Sequence, residues 1–190
     1  MPKVINSNIA TCETSPRSEI LCKDNLEIVS IEKKFDPSTV NIFISLILQD
    51  VIDENIHKTN QLIKNSFYMK NLPNLNFADF NKRIIKYLKP ECSTLIISLI
   101  YIDSLANIDR EKLFLTENNI FKIYLTSIVL AIKYNEDYYD DNAYFSKVGG
   151  VSLTEMNDLE REFLTILDYK LFVNEDLYKI YEDNFNEYEN

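Results

Sequence analysis

The stretch NAYFSKVGGVSLTEMNDLEREFL, residues 142–164, decides the fold prediction because it holds both glycines of this 190-residue chain. Gly149 and Gly150 stand side by side between two segments with helical patterns. A short helix from about Asn142 fits the first segment, with Asp141 or Asn142 as its N-cap. Gly149 fits the position after the helix, where a positive φ causes no Cβ clash. Gly150 then indicates a close backbone approach or a second unusual dihedral angle.

The segment after the glycines is typical of a long, well-capped helix. Ser152 and Glu155 form a capping box at its start. On a helical wheel at ~100° per residue, its apolar side chains fill one face, and Glu160 falls near the middle of that face. A carboxylate on a core-facing stripe costs several kcal/mol unless it is paired. Two interpretations therefore stay open: Glu160 has a cation partner, or it faces a surface that another protein covers.

The remainder of the chain also favours helices over strands. With 2 glycines and 5 prolines, the chain lacks the turn residues that a β-sandwich needs. Asp36-Pro37 predicts the start of an N-terminal helix over residues 36–56, with Asp as N-cap and Pro at the first helical position. Further helical patterns cover residues 77–88, with Asn76 as the predicted N-cap, 90–107 and 117–134. Residues 1–35 keep no sustained period and are expected to form a flexible tail.

Bulk composition excludes several classes of protein. The formal net charge is −10, which argues against DNA or RNA as the ligand, since nucleic-acid binding draws on a basic surface. No apolar run approaches the ~20 residues of a membrane span. Three cysteines without CxxC spacing predict reduced thiols and a cytoplasmic or nuclear location. A single histidine, His57, cannot build a metal site, so we expect neither metal nor cofactor.

Two further charged residues lie close to apolar faces. Asp103 falls among apolar neighbours on its helix, and Arg83 flanks the apolar stripe of the preceding helix. A buried Arg83–Asp103 ion pair is one arrangement that would satisfy both charges. Lys133 differs, because the wheel places it with Lys122 and Thr126 on the polar side, so periodicity does not single it out.

Three strings resemble the cyclin box, particularly that of the P/U-type cyclins related to the yeast phosphate-response cyclin. They are ADFNKRIIKYLKPECSTLIISLIYIDSLAN, NNIFKIYLTSIVLAIKYNED and YYDDNAYFSKVGGVSLTEMNDLEREFLTILDYKLFV. The third is the most specific, because this subfamily carries a run ending in K-V-G-G-[IV]-[ST] before an L-E-x-x-F-L helix. The resemblance implies an all-α fold, with a five-helix cyclin box over residues 77–175 preceded by an extra N-terminal helix. Residues 176–190 are expected to form an acidic C-terminal helix or tail.

The resemblance also implies a function, namely binding and activation of a cyclin-dependent protein kinase by positioning its regulatory helix. In this family a lysine that closes the third box helix and a glutamate in the fifth contact the kinase, and Lys133 and Glu160 occupy those places. Tyr134, Leu164 and Leu171 match apolar positions that pack on the kinase, and Arg83 and Asp103 match an internal ion pair of the family. The resemblance implies a heterodimer of this chain with the kinase, in which this chain is not itself an enzyme.

One departure from the family pattern and two alternative functions accompany this prediction. The chain has no tryptophan, and Tyr87 stands where many cell-cycle cyclins carry one in their substrate-docking patch. One alternative is a transcription-type or scaffold protein with a cyclin fold and no kinase partner. The net charge of −10 argues against nucleic-acid binding by such a protein. The other is a helical enzyme using acidic pairs such as Asp140-Asp141. These two residues lie in a polar connection and are better explained as solvated or capping.

Overall fold

The computed structural model describes residues 37–56, 65–108 and 114–188. Within these ranges the regular elements are seven α-helices: α1 (Pro37–Asn55), α2 (Phe77–Leu88), α3 (Cys92–Ile108), α4 (Ile120–Asn135), α5 (Asn142–Gly149), α6 (Leu153–Ile166) and α7 (Glu175–Tyr188). The all-α prediction, with five helices preceded by an N-terminal one, is confirmed. The predicted flexible tail, the Asp36 cap and His57 lie outside the described residues.

Helices α3 and α4 form the centre of the core. Almost every residue from Thr94 to Ile102 and from Ile120 to Ile132 is buried. The side of α4 that the sequence marks as polar is covered as well around Lys122 and Thr126. Its Lys122 Nζ donates to the carbonyl of Ser66 at 3.0 Å and pairs with Glu155 at 2.8 Å. The neighbouring Phe67 is fully buried and meets Phe163 edge-on, so residues 65–69 shield that side of α4.

A buried polar network ties α4 to the two N-terminal helices. Asn81 of α2 accepts a short hydrogen bond from the Tyr124 hydroxyl of α4. Its amide nitrogen donates to the Asn41 carbonyl at 3.1 Å and to Ser45 Oγ at 2.8 Å, both in α1. Buried polar groups are costly unless they are hydrogen-bonded. The network therefore fixes the relative positions of α1, α2 and α4.

Side-chain caps begin three helices where the sequence predicts them. Asn76, Asp141 and Ser152 each accept a hydrogen bond from the backbone N–H three residues later, at 2.8, 2.9 and 3.1 Å. The predicted start of α4 near Glu117 is wrong by about one turn. Asn119 bonds the Thr116 N–H and the Phe114 carbonyl, which keeps the chain in a turn until Ile120.

The left-handed cap that the sequence predicts at Gly149 lies at Gly150 instead, and the close approach considered for Gly150 lies at Gly149. Gly150, not Gly149, has the left-handed φ of 74°, and its N–H closes α5 on the Ser146 carbonyl. Gly149 is still helical, and a Cβ built there would lie 2.2 Å from Leu125 Cδ2 of α4. The close approach is therefore made at Gly149, against a side chain. Nothing lies within 4 Å of a Cβ at Gly150.

The predicted Arg83–Asp103 ion pair is wrong, because the fold directs the two side chains to different partners. Arg83 is exposed, and its Nη2 donates to the Lys147 carbonyl at 3.0 Å. Asp103 Oδ2 instead accepts from the Tyr181 hydroxyl of α7 at 2.6 Å. Asp103 of α3 thus helps to attach the C-terminal helix α7, a contact that the sequence did not reveal.

Substitution of each glycine by alanine tests these separate roles. Gly149→Ala is expected to destabilise the protein by roughly 1–3 kcal/mol through overpacking against Leu125. Gly150→Ala is expected to cost about 1 kcal/mol through backbone strain. In a Leu125→Ala background the cost of Gly149→Ala falls, whereas that of Gly150→Ala stays the same. Urea unfolding of the parent and the five variants measures this, and equal relief at both positions would contradict the assignment.

Buried tyrosines give the fold a predictable response to alkaline pH. Burial raises the pKa of Tyr101 to about 12, and burial chiefly raises that of Tyr178 to about 12. Burial also raises the pKa of Tyr124 and Tyr181, with the Asp103 carboxylate adding to the effect at Tyr181. A tyrosine that keeps its proton when folded but loses it near pH 10 when unfolded stabilises the fold below pH 10. That stability is lost as the pH rises further.

We therefore expect the free energy of unfolding to fall between pH 10 and 12. Tyr101→Phe removes the hydrogen bond from the Tyr101 hydroxyl to the Leu171 carbonyl and is expected to cost about 1–3 kcal/mol at pH 7. Above pH 10 the free energy of unfolding of Tyr101→Phe is expected to fall less steeply than that of the parent. The two slopes should differ by at most about 1.4 kcal/mol per pH unit. Tyr138→Phe, at a side chain that is 92% exposed, is the control. Denaturant titrations at each pH decide, and parallel pH curves for Tyr101→Phe and the parent would refute the linkage.

Candidate functional site

An ion pair joins the two residues that the resemblance singles out. Lys133 lies in the last turn of α4, and its Nζ is 2.6 Å from Glu160 Oε1 in α6. The side chains are 24% and 17% exposed. The pair is thus only partly exposed to solvent, and its accessible edge forms part of the surface. Of the two interpretations of Glu160, the cation partner is therefore present, and the accessible edge leaves partner contact open.

A third residue, Asn142, completes the cluster. Its Nδ2 donates to Glu160 Oε2 at 2.7 Å and to Asn157 Oδ1 at 2.7 Å. The Phe145 ring, one turn along α5, lies 6.0 Å from Lys133 Nζ, within the range of a cation–π contact. Sequence analysis missed Asn142 and Phe145 as site residues. The available signal was their spacing of three, which places both on one side of a helix that must pack close to α4.

Helix ends favour the charges at this cluster. Lys133 sits at the carboxyl end of α4, where unpaired carbonyls give a partial negative charge. Glu160 accepts a hydrogen bond from the side chain of Asn142, the first residue of α5. The amino end of α5 carries a partial positive charge. Each charge therefore has a favourable helix end as well as its partner. The arrangement holds one donor and one acceptor side by side in a fixed geometry.

The predicted apolar surroundings divide into exposed and buried residues. Tyr134, next to Lys133, is 52% exposed, and Leu164 is half-buried on α6. Leu171 is only 9% exposed and belongs to the core, where its carbonyl accepts from the Tyr101 hydroxyl at 2.7 Å. The prediction that Leu171 packs on a kinase is therefore not supported by its position, because the chain itself covers that side chain.

Two other kinds of site are absent from the described ranges. No group of three or more His, Cys, Asp and Glu side chains there could hold a metal ion. No helix among the described residues has the length and apolarity needed to cross a membrane.

Comparison with known proteins identifies the family. The family model described as Cyclin matches residues 4–171. The chain belongs to the cyclin family. The all-α cyclin fold is thus confirmed, and the match covers α1 as well as α2–α6. The predicted boundary of the cyclin box at residue 77 stays a prediction.

The similar proteins include P-type and U-type cyclins, which confirms the subfamily resemblance. Cyclin-U2-1 of Arabidopsis thaliana is 27% identical over 163 residues, covering 82% of this chain and 72% of that protein. Cyclin-U3-1 of the same plant is 38% identical over 101 residues, covering 53% and 45%. PHO85 cyclin-7 of Saccharomyces cerevisiae is 30% identical over 136 residues, covering 62% and 48%. This cyclin thus spans about half the length of several relatives.

A double-mutant cycle on Lys133→Met and Glu160→Gln tests the ion pair in the isolated cyclin. We expect a coupling free energy of about 1 kcal/mol, between the values typical of exposed and of buried pairs. The matched control is the pair between Arg161 and Asp158 on α6, which is far more exposed and should couple by less than about 0.5 kcal/mol. Thermal unfolding of the two cycles measures the couplings. Equal values would mean that partial burial does not strengthen the Lys133–Glu160 pair.

Proposed function

We propose that this cyclin binds and activates a cyclin-dependent protein kinase through the surface around Lys133 and Glu160. The observation that carries the proposal is the partly exposed Lys133–Glu160 pair, held by Asn142 in a chain of the cyclin family. The name of one relative, PHO85 cyclin-7, supports a kinase of the PHO85 type as partner. The expected assembly is a heterodimer.

The cluster retains hydrogen-bonding capacity for a partner. A carboxylate offers about four lone-pair sites, and the contacts of Glu160 are one to Lys133 and one to Asn142. The Lys133 ammonium has three donors, of which the pair uses one. The first and last turns of any helix leave backbone N–H and C=O groups without intrahelical partners. Glu160 and Lys133 can therefore satisfy the backbone at the end of a kinase helix through charge-assisted hydrogen bonds.

Activation follows from differential binding. If the surface contacts the kinase helix in its active position better than in its inactive position, binding shifts the kinase population toward the active state. Because the Lys133–Glu160 pair is already formed, little side-chain ordering remains to be done on binding. Tyr134 and Leu164 add apolar contact beside the pair. This mechanism assigns no chemical step to the cyclin itself.

Purified PHO85 and other cyclin-dependent kinases, assayed with and without the cyclin, test the proposal. We expect activity of at least one kinase to rise, and Glu160→Ala and Lys133→Ala to weaken its binding by ~2–5 kcal/mol. The double variant should lose less than the sum of the single losses, because the residues act as one unit. Lys179→Ala, at an exposed position on α7, is the control.

Binding isotherms and turnover rates separate the outcomes. Equal kinase rates with and without the cyclin would overturn the activating role. Binding without activation would favour the scaffold alternative. Unchanged affinity for the Glu160 and Lys133 variants would move the contact to another surface.

A further inference from the structure

A cluster of positive charge stands out on this acidic chain. Four residues at and after the outer side of α2, together with one residue near the end of α5, form what we call the basic face: Lys82, Arg83, Lys86, Lys89 and Lys147. All five are exposed, while the whole chain carries a net charge of −10. Four of these residues lie within residues 82–89, and the fold adds Lys147, which lies 58 residues beyond Lys89 in the sequence.

Packing of α5 beside α2 assembles the basic face. Arg83 Nη2 donates to the Lys147 carbonyl at 3.0 Å, and the Tyr144 hydroxyl donates to the Tyr87 carbonyl at 3.0 Å. Lys82, Arg83 and Lys86 fall within an arc of roughly 100° on the helical wheel. The buried residues Phe80 and Ile84 point into the core. The cations are therefore presented together on one accessible side.

The charges of the basic face are largely uncompensated. Lys82 pairs with Asp79 at 3.5 Å, and both side chains are well exposed. The other four cations make no ion pair with any carboxylate of the described residues. Elsewhere in the described ranges Lys122, Lys133 and Lys170 each pair with a carboxylate at 3.0 Å or less. Unpaired like charges repel one another, so an anionic ligand would relieve a cost that the chain alone bears.

The spacing of the charges indicates the kind of anion. Lys82 and Lys89 are seven residues apart, which is about 10 Å along a helix axis. A strip of that length matches about three residues of extended peptide at ~3.3 Å each, rather than one phosphate group at a single point. Tyr87 borders the strip with an exposed ring, 5.5 Å from Lys86 Nζ, and offers a flat surface to a peptide.

Longer polyanions fit less well. Screening limits the field of exposed charges to about 8–10 Å at ordinary salt. A nucleic acid or an anionic bilayer extends well beyond a 10 Å strip and would meet the acidic remainder of the surface. From charge, spacing and the neighbouring ring, we propose that the basic face binds an extended acidic segment of another protein, rich in Asp and Glu. This proposal does not depend on the kinase partner.

Fluorescence anisotropy of a labelled peptide with alternating Glu and Ser, titrated with the full-length cyclin, tests the proposal. The triple variant Lys82→Gln/Lys86→Gln/Lys147→Gln is expected to weaken binding about tenfold, given the small contribution of each exposed ion pair. The matched control is Lys70→Gln/Lys170→Gln/Lys179→Gln, which has the same net charge and changes three exposed lysines elsewhere. It is expected to weaken binding less than about twofold. Thermal unfolding verifies that both triple variants fold.

Further probes separate the competing ligands. The same peptide with Gln in place of Glu should bind at least tenfold more weakly, and affinity should fall as salt rises. Equal losses for the two triple variants would reduce the effect to net charge and overturn the site. A phosphoserine peptide, an oligonucleotide or a phosphatidylserine vesicle that binds more than tenfold more tightly than the Glu peptide would overturn the choice of an acidic segment.

Discussion

The contact between Gly149 and Leu125 is the constraint on which the site depends. Because Gly149 carries no side chain, the last turn of α5 can lie against the Leu125 side chain of α4. That approach fixes α5 between α4 and α6, so that Asn142 at the other end of α5 reaches Glu160. Phe145, between these two points, then lies over Lys133. A hydrogen atom in place of a methyl group thus helps to align an ion pair more than one helical turn away.

Local chemistry made much of the fold predictable from sequence. Caps at Asn76, Asp141 and Ser152 act within four residues of the chain, so the sequence carries their whole cause. The errors arose where the cause is tertiary. Two adjacent glycines indicate both a left-handed φ and a close contact. Only the packed structure shows which glycine has the left-handed φ and which makes the contact. The partners of Arg83 and Asp103 likewise depend on α5 and α7, which no periodicity on α2 or α3 reveals.

The site was predictable in part for a similar reason. Glu160 could be identified as anomalous because its apolar neighbours lie on its own helix. Lys133 could not, because its environment comes from other helices, and only the family resemblance pointed to it. Asn142 was recognised as a helix start but not as a hydrogen-bond donor to Glu160, since a polar side chain at the start of a helix commonly caps that same helix. The structure joins three residues from three helices into one cluster.

The burial of α4 has a consequence for how such a surface can diversify. Lys133 stands in the last turn of a helix whose remaining sides are covered by the core and by residues 65–69. A change of its position would require α4 to move, and the packing around α4 opposes such movement. Within the proposed kinase-binding surface, substitutions are therefore expected to be tolerated more easily at the edge, in Tyr134, Leu164 and the loop of residues 136–141, than at Lys133. The charged centre of that surface is held by the same packing that holds the core.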